Sequence, residues 1–251
     1  MTRPLIMVAP NGARRGKADH PALPVTIAET VETAAACLAA GAAALHLHIR
    51  DDAGRHSLDP GRYGEALAEL ARAVPDMRVQ ITTESAGIFE VPDQLDCLAR
   101  LKPGWASVSV REIARAPELA ARVYGTCADN GTEVQHILYD PEDAALLARW
   151  QAQGIVRPGQ DSTILVLGRY ATGQKATPDD LAPLLAAKPP GRWMLCAFGP
   201  AEHACLLQAA RRGGDLRVGF ENNLHRADGT LLHDNAESVA HLVDELKRIA
   251  V

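Results

Sequence analysis

Short apolar runs alternate with longer Ala- and Leu-rich amphipathic stretches along the chain. The runs "LIMVAP" (5–10), "ALHLHIR" (44–50), "RVQITTE" (78–84), "WASVSV" (105–110), "TEVQHILY" (132–139), "STILVLG" (162–168), "RWMLCAF" (192–198) and "LRVGFEN" (216–222) have the length and residue content of strands. Each precedes a stretch with helical spacing, at 26–40, 60–74, 91–101, 115–129, 140–153, 177–187, 200–212 and 235–249. In "PVTIAE", "LDPGRY", "YDPED" and "ATPDD" a Thr or Asp stands before Pro or an acidic first turn, the arrangement that satisfies free N–H groups at a helix start. Eight β–α units with no linker or repeat boundary predict a closed parallel sheet ringed by helices. The expected fold is an α/β (β/α)8 TIM barrel with residues 1–251 as one domain. An open doubly wound sheet competes, but no G-x-G-x-x-G follows the first strand and no P-loop occurs.

The two faces of each strand separate further. In a barrel one face meets the helices and must be apolar, while the other points inward. The second strand sets Leu45, Leu47 and Ile49 against His46, His48 and Arg50; the third sets Val79, Ile81 and Thr83 against Gln80, Thr82 and Glu84. Ser107, Ser109 and Arg111 alternate with Ala106, Val108 and Val110 in the fourth. Glu133, Gln135 and Ile137 oppose Val134, His136 and Leu138 in the fifth, and Arg217, Gly219 and Glu221 oppose Leu216, Val218 and Phe220 in the last. Five strands therefore aim polar groups at an interior that a purely structural barrel fills with Val, Ile and Leu.

Composition narrows the function classes. With 47% hydrophobic and 23% charged residues the chain can build one large core. The net charge of −5 and scattered basic residues argue against nucleic acid or an anionic membrane as partner. Five cysteines without a C-x-x-C pair are expected to be buried free thiols in a reducing, cytoplasmic setting. The N-terminal apolar run is too short for a signal peptide, and no membrane-length apolar run occurs.

His46 and His48, on one face of one strand, place two imidazoles about 7 Å apart along it. Burying them side by side is costly unless their nitrogens are bonded. Barrel layers draw inward residues from alternate strands, so Glu221 on the eighth strand can share a layer with the pair on the second. Two histidines and a carboxylate with an open position form a catalytic Zn2+ arrangement that Mn2+ or Fe2+ would also accept. The competing account is a pair of hydrogen-bonded core histidines without an ion. His136 falls on the helix-facing side of its strand, and His56, His225, His233 and His241 are expected in solvated positions.

"PNGARRGKADHPALPVT" after the first strand, "HLHIRD" on the second and "RVGFENNL…G…NAESV" near the end resemble the β-keto acid cleavage enzymes, over residues 5–247. The combination of "HLHIRD" with "RVGFE" is specific, whereas either alone is weak. The resemblance implies a TIM barrel, a homotetramer and one divalent ion. It also implies a reaction of a β-keto acid with acetyl-CoA that gives acetoacetate and a new CoA ester. It places metal ligands at His46, His48 and Glu221, an arginine at Arg217, a hydroxyl at Thr82 or Thr83, with alternation favouring Thr82, and an acid at Glu133. Two positions depart from the family pattern. Asn222 stands where many members have an Asp that pairs with the arginine, and Gln135 stands where many have a second acid. "TTES" supplies Glu84 where many have Gly, either as an acid/base group or as an ion-pair partner of Arg111 or Arg50. The loop "GARRGKADH" offers Arg14, Arg15 and Lys17 to a carboxylate or to CoA phosphates, or else to solvent or a neighbouring subunit. "YATGQKATPDD" could serve the same end.

Two other functions compete. A metal hydrolase of the amidohydrolase kind also carries H-x-H in a barrel, but on the first strand, with further histidines on strands 5 and 6 and Asp on strand 8. A non-catalytic barrel that binds metal and keto acid is the third reading, kept open by Asn222.

Overall fold

The strands form where apolar alternation predicts them: β1 (Ile6–Val8), β2 (Ala44–Leu47), β3 (Arg78–Thr82), β4 (Trp105–Ser109), β5 (Glu133–Leu138), β6 (Ser162–Leu167), β7 (Trp193–Ala197) and β8 (Asp215–Val218). All run parallel, each beside its neighbour in sequence, and β1 closes the ring against β8. The computed structural model describes residues 3–169 and 175–249. Around the ring lie α1 (Ile27–Ala40), α2 (Pro60–Ala73), α3 (Val91–Leu101), α4 (Pro117–Asp129), α5 (Pro141–Ala152), α6 (Leu181–Ala187), α7 (Glu202–Arg211) and α8 (Asn235–Arg248). This is a (β/α)8 TIM barrel. Among the described residues no helix is long and apolar enough to cross a membrane.

The helix starts follow the sequence signals. Thr26 and Glu29 form a reciprocal cap on α1, Asp59 accepts from Arg62 N on α2, and Asp140 accepts from Asp143 N on α5. Thr177 and Asp180 cap a single 3-10 turn that leads into α6.

Two layers of packing result. Leu45, Leu47, Ile81, Val108, Leu195 and Val218 face the helices and are fully buried or nearly so; each such side chain contributes about 1.5–3 kcal/mol. Inside the ring, Met7, Trp105, Ile164, Met194, Cys196 and Phe198 form a second apolar cluster. It fills one side of the interior, and the buried Gln80, Thr82, Ser107, Ser109, Gln135 and Arg217 line the other.

Each strand ends one to four residues before its expected bound, and three of these ends shape the carboxyl mouth. β2 stops at Leu47, after which Ile49–Arg50 pairs antiparallel with His56–Ser57 in a short ribbon. The ribbon folds back through a turn at Asp51–Gly54 and carries His56 inward, so this histidine is 5% exposed rather than solvated. β4 stops at Ser109, and the helical turn Val110–Ile113 takes Arg111 out of the barrel interior to pair with Asp140 and Asp143. β8 stops at Val218, and Glu221 follows in a turn. His225, His233 and His241 are exposed as expected, and His136 packs on Tyr124 with its Nε2 3.0 Å from Gln160 O.

Candidate metal centre and active site

The site begins with the orientation of one imidazole. Gln80, in register with His46 on the adjacent strand, donates through its amide nitrogen to Gln135 Oε1 at 3.0 Å. Its carbonyl end therefore faces His46 Nδ1, 2.8 Å away, and that nitrogen carries the proton. His46 Nε2 is left as a lone pair at the carboxyl end of the barrel. His48 Nε2 lies 3.2 Å from it, and Glu221 Oε2 lies 3.5 Å from His48 Nε2 and 3.8 Å from His46 Nε2.

The backbone delivers Glu221 by a close crossing of the first and last segments. At Gly219 (φ +138) a Cβ would stand 2.5 Å from Ala9 O, so only glycine lets the chain turn there. Glu221 N then donates to Ala9 O at 3.0 Å. A side chain at Gly12 would meet Glu221 Cγ at 2.6 Å, so the bare backbone of the first loop makes room for the ligand.

These donors fit a divalent ion. Tetrahedral coordination with bonds of about 2.1 Å separates neighbouring ligand atoms by about 3.4 Å, close to the three distances found. Glu221 Oε2 is buried without a hydrogen-bond partner among the described residues, an arrangement that an ion would complete. Protonation states agree. Burial, then the nearby Arg217, holds the His46 pKa well below its ordinary value, which keeps the ring neutral. Burial opposes charge on Glu221, but the adjacent Arg217 guanidinium outweighs it and holds the carboxyl well below its ordinary value, so it stays ionised.

The other expected site residues separate clearly. Arg217 is 4% exposed, and its Nη2 donates to Glu221 Oε1 at 3.1 Å and to Cys196 Sγ at 3.0 Å. Thr82 lines the central cavity with its Oγ1 accepting from Glu84 N at 3.0 Å, while Thr83 turns to Ser107 O. Glu84 reaches the site, 4.0 Å from His48 Nε2, but pairs at 2.9 Å with Arg169 rather than with Arg111 or Arg50. Arg50 instead donates to the carbonyls of Gly12, Arg15 and Gly54, which fastens the first loop. Asn222 is fully buried and bonded to Glu202 and to Arg217 O. Arg15 is half-buried and donates to Phe220 O, whereas Arg14 is exposed and Lys17 pairs with Glu29. Glu133 is a correction. It is the first residue of β5, at the amino mouth of the barrel, exposed and paired with Arg78 at 2.8 Å, so it lies away from the site. Of "YATGQKATPDD", residues 170–174 lie outside the described residues.

Several site residues have no motif to mark them. His56 packs behind His48 with ring centroids 5.2 Å apart and its Nε2 2.8 Å from Glu84 O; burial, then His48, lowers its pKa to about 3. Its only sequence signal is the turn at "DDAG", which folds residue 56 back onto residue 50. Arg169 stacks over Phe198 at 5.0 Å and, with Tyr139, Val166 and Glu84, closes a central cavity of about 20 Å³, room for about one water. Tyr139, Val166 and Arg169 also border an outer cleft of about 500 Å³ that includes Arg111 and Lys175. Glu202, at the start of α7, is fully buried, which pushes its carboxyl up to about 8.

Barrel enzymes keep their chemistry at this mouth, and a two-histidine, one-carboxylate donor set that could hold a divalent ion lies there. Among such barrels the chain belongs to the β-keto acid cleavage enzyme family, whose model matches residues 4–250. The chain is 27% identical over 257 residues to a 3-keto-5-aminohexanoate cleavage enzyme of Fusobacterium nucleatum, covering 99% of this chain and 93% of that protein. It is 27% identical over 265 residues to a 3-oxoadipate:acetyl-CoA acetyltransferase of Cupriavidus necator, covering 99% and 91%. Among solved structures, apo ObcA superposes with a TM-score of 0.66 at 16% identity, over 92% of this chain; the chain spans 63% of the ObcA chain. A 3-dehydroquinate dehydratase from Geobacillus kaustophilus superposes with a TM-score of 0.63 at 13% identity, over 100% of this chain and 93% of that one. At these identities the structural likeness speaks for the fold.

Proposed function

We propose that the protein cleaves a β-keto acid in the presence of acetyl-CoA and releases acetoacetate and a new CoA ester. In the net reaction the bond between the keto carbon and the carboxymethylene carbon breaks. The acyl half joins the CoA sulfur, and the carboxymethylene half takes up the acetyl group. The observation that carries this reading is the convergence of His46, His48 and Glu221 at the carboxyl mouth, with a buried Glu221 oxygen that has no hydrogen-bond partner among the described residues. Names of relatives at 25–27% identity, among them a 3,5-dioxohexanoate:acetyl-CoA acetone transferase of Paraburkholderia graminis, agree with it.

His46, His48 and Glu221 would hold Zn2+, with Mn2+ or Fe2+ as alternatives. The ion would supply Lewis-acid polarisation of the keto acid oxygens. Arg217 sets a fixed positive charge beside the reacting oxygens. Thr82 offers a hydroxyl at the cavity wall, and Glu84, once released from Arg169, is the acid/base group within reach. Arg15 stands at the rim to meet a carboxylate or CoA phosphate, and Arg14 can reach the same ligand from solvent. Asn222 cannot act as a base and serves as a hydrogen-bonding support. The cavity admits a keto acid only when the Arg169–Glu84 pair opens toward the outer cleft. A homotetramer is the assembly that the family resemblance implies. Five free buried cysteines suit a reducing cytoplasm.

The test is a panel of β-keto acids offered to metal-loaded protein with and without acetyl-CoA, with CoA esters read by mass spectrometry. A new CoA ester and acetoacetate in equal amounts are expected only with the thioester. Turnover independent of acetyl-CoA would overturn the reading in favour of a hydrolase, and tight binding without turnover would favour a non-catalytic barrel.

A further inference from the structure

Glu202 carries a carboxyl that the cleavage chemistry above leaves unused. It is 0% exposed. Its Oε1 accepts from Asn222 Nδ2 at 2.9 Å and from Gly219 N at 3.1 Å, and its Oε2 has no hydrogen-bond partner among the described residues. Asn222 Nδ2 also donates to Arg217 O at 3.1 Å. On the other end of the amide, Asn222 Oδ1 accepts from Cys196 Sγ at 3.3 Å, and that sulfur accepts from Arg217 Nη2 at 3.0 Å. The same Arg217 nitrogen donates to Glu221 Oε1. One unbroken chain of hydrogen bonds thus runs from Glu202 through Asn222, Cys196 and Arg217 to the carboxylate that faces the histidines.

A buried carboxyl is costly to keep when an apolar residue of similar size would pack in its place. The chain gives this one a use. An amide has a donor end and an acceptor end that occupy nearly the same space, so its neighbours decide which way it points. Glu202 Oε1 and Arg217 O are both acceptors, and they fix the Asn222 nitrogen toward themselves. The amide oxygen must then face Cys196, the thiol proton is drawn to it, and the sulfur lone pair is left for Arg217. Without Glu202 only Arg217 O holds the Asn222 nitrogen; once the amide turns over, the thiol loses its acceptor and nothing fixes the direction in which the sulfur lone pair meets Arg217.

We propose that Glu202 is a positioning residue of the reaction: it orients the Asn222 amide and, through Cys196, sets the pose of the Arg217 guanidinium beside Glu221. This rests on the cleavage reading given above. Its effect belongs on turnover, because Arg217 acts on charge that develops during bond breaking, and little of it on KM.

The experiment compares Glu202→Met, Glu202→Gln, Cys196→Ala and Cys196→Ser in metal-loaded protein, with zinc content and thermal midpoint measured alongside. Glu202→Met is expected to lower kcat about 10–100-fold with KM nearly unchanged, the range found for residues that support a site from behind. Glu202→Gln keeps an acceptor at the same place and is expected to retain turnover of the same order as wild type. Cys196→Ala cuts the chain of hydrogen bonds in its middle and is expected to lower kcat in the same way, whereas Cys196→Ser keeps a donor for Asn222 Oδ1 and an acceptor for Arg217 and is expected to retain turnover of wild-type order. Undiminished kcat in folded Glu202→Met overturns the proposal. If Glu202→Met fails to fold, Cys196 decides: a loss of kcat in Cys196→Ala that Cys196→Ser restores supports the proposal, and undiminished kcat in Cys196→Ala or an equal loss in Cys196→Ser overturns it. Wild-type protein inactive on the whole panel overturns the cleavage reading and this proposal together. Active wild type with either contrary variant result overturns this proposal alone.

Discussion

His46 and His48 are held with unequal firmness, and the difference is testable. His46 is locked by Gln80, which Gln135 orients in turn, whereas His48 Nδ1 has no partner among the described residues. His46→Ala should lose bound zinc and activity together; stoichiometric zinc retained by elemental analysis would remove the ligand assignment. Gln80→Leu leaves both rings in place but frees His46 to rotate, and should weaken zinc about 10–100-fold in a chelator competition. Alternation in the sequence gives the face on which a side chain lies, and so it put His46, His48, Thr82 and Arg217 on the inward face. It does not give height along the barrel axis. Glu133 shares a face with Gln135 but sits at the strand's first residue, so it emerges at the opposite mouth. Glu202 and Arg169 were invisible for a different reason: each lies beyond a strand end, where no period relates a residue to the site.

At the level of elements, the strand ends were the least legible feature, because an extended chain can change hydrogen-bond partners without changing its pattern. Residues 44–50 read as one strand, yet β2 bonds to the barrel through Leu47 while Ile49 and Arg50 bond to the ribbon. The turn after β8 is similar. "LRVGFEN" alternates to its end, but Gly219 breaks the ladder by donating to Glu202, and Glu221 reaches the site by a turn. Gly219→Ala should therefore do two kinds of damage. A Cβ there meets Ala9 O at 2.5 Å with φ at +138, and strain of this sort costs on the order of 1–3 kcal/mol. Urea denaturation should register the loss, and zinc content should fall because Glu221 moves with the turn. A variant that loses stability yet binds zinc normally would show that the turn and the ligand are independent.

The whole barrel was the most legible level, since eight amphipathic units can bury their apolar faces together only by closing. Its stability should depend on pH through a histidine far from the mouth. Burial lowers the His136 pKa to about 4, against about 6.5 in an unfolded chain. The folded state thus resists the proton that the unfolded state accepts. Stability is complete above pH ~6.5 and declines as pH falls toward 4, by up to about 3 kcal/mol from this group. Denaturant titrations across that window should be less steep in His136→Gln than in wild type, with the remaining slope coming from His56, whose lowered pKa acts in the same sense, and Glu202, whose raised pKa acts in the opposite one; an unchanged slope would mean that His136 has no part in acid unfolding. Zinc should act on the same equilibrium. At a hundredfold excess over its Kd it should add about 2.7 kcal/mol, read as a higher Tm that a chelator reverses. The ligand set also has a place in the circle that this number does not convey. The histidines belong to the second stave and Glu221 to the end of the last, with β1 between them, so a shared cation would span the seam where the two ends of the chain join. It would act as the clasp of a hoop, and stripping it should loosen the amide protons of the β1 ladder before those on the far side of the ring.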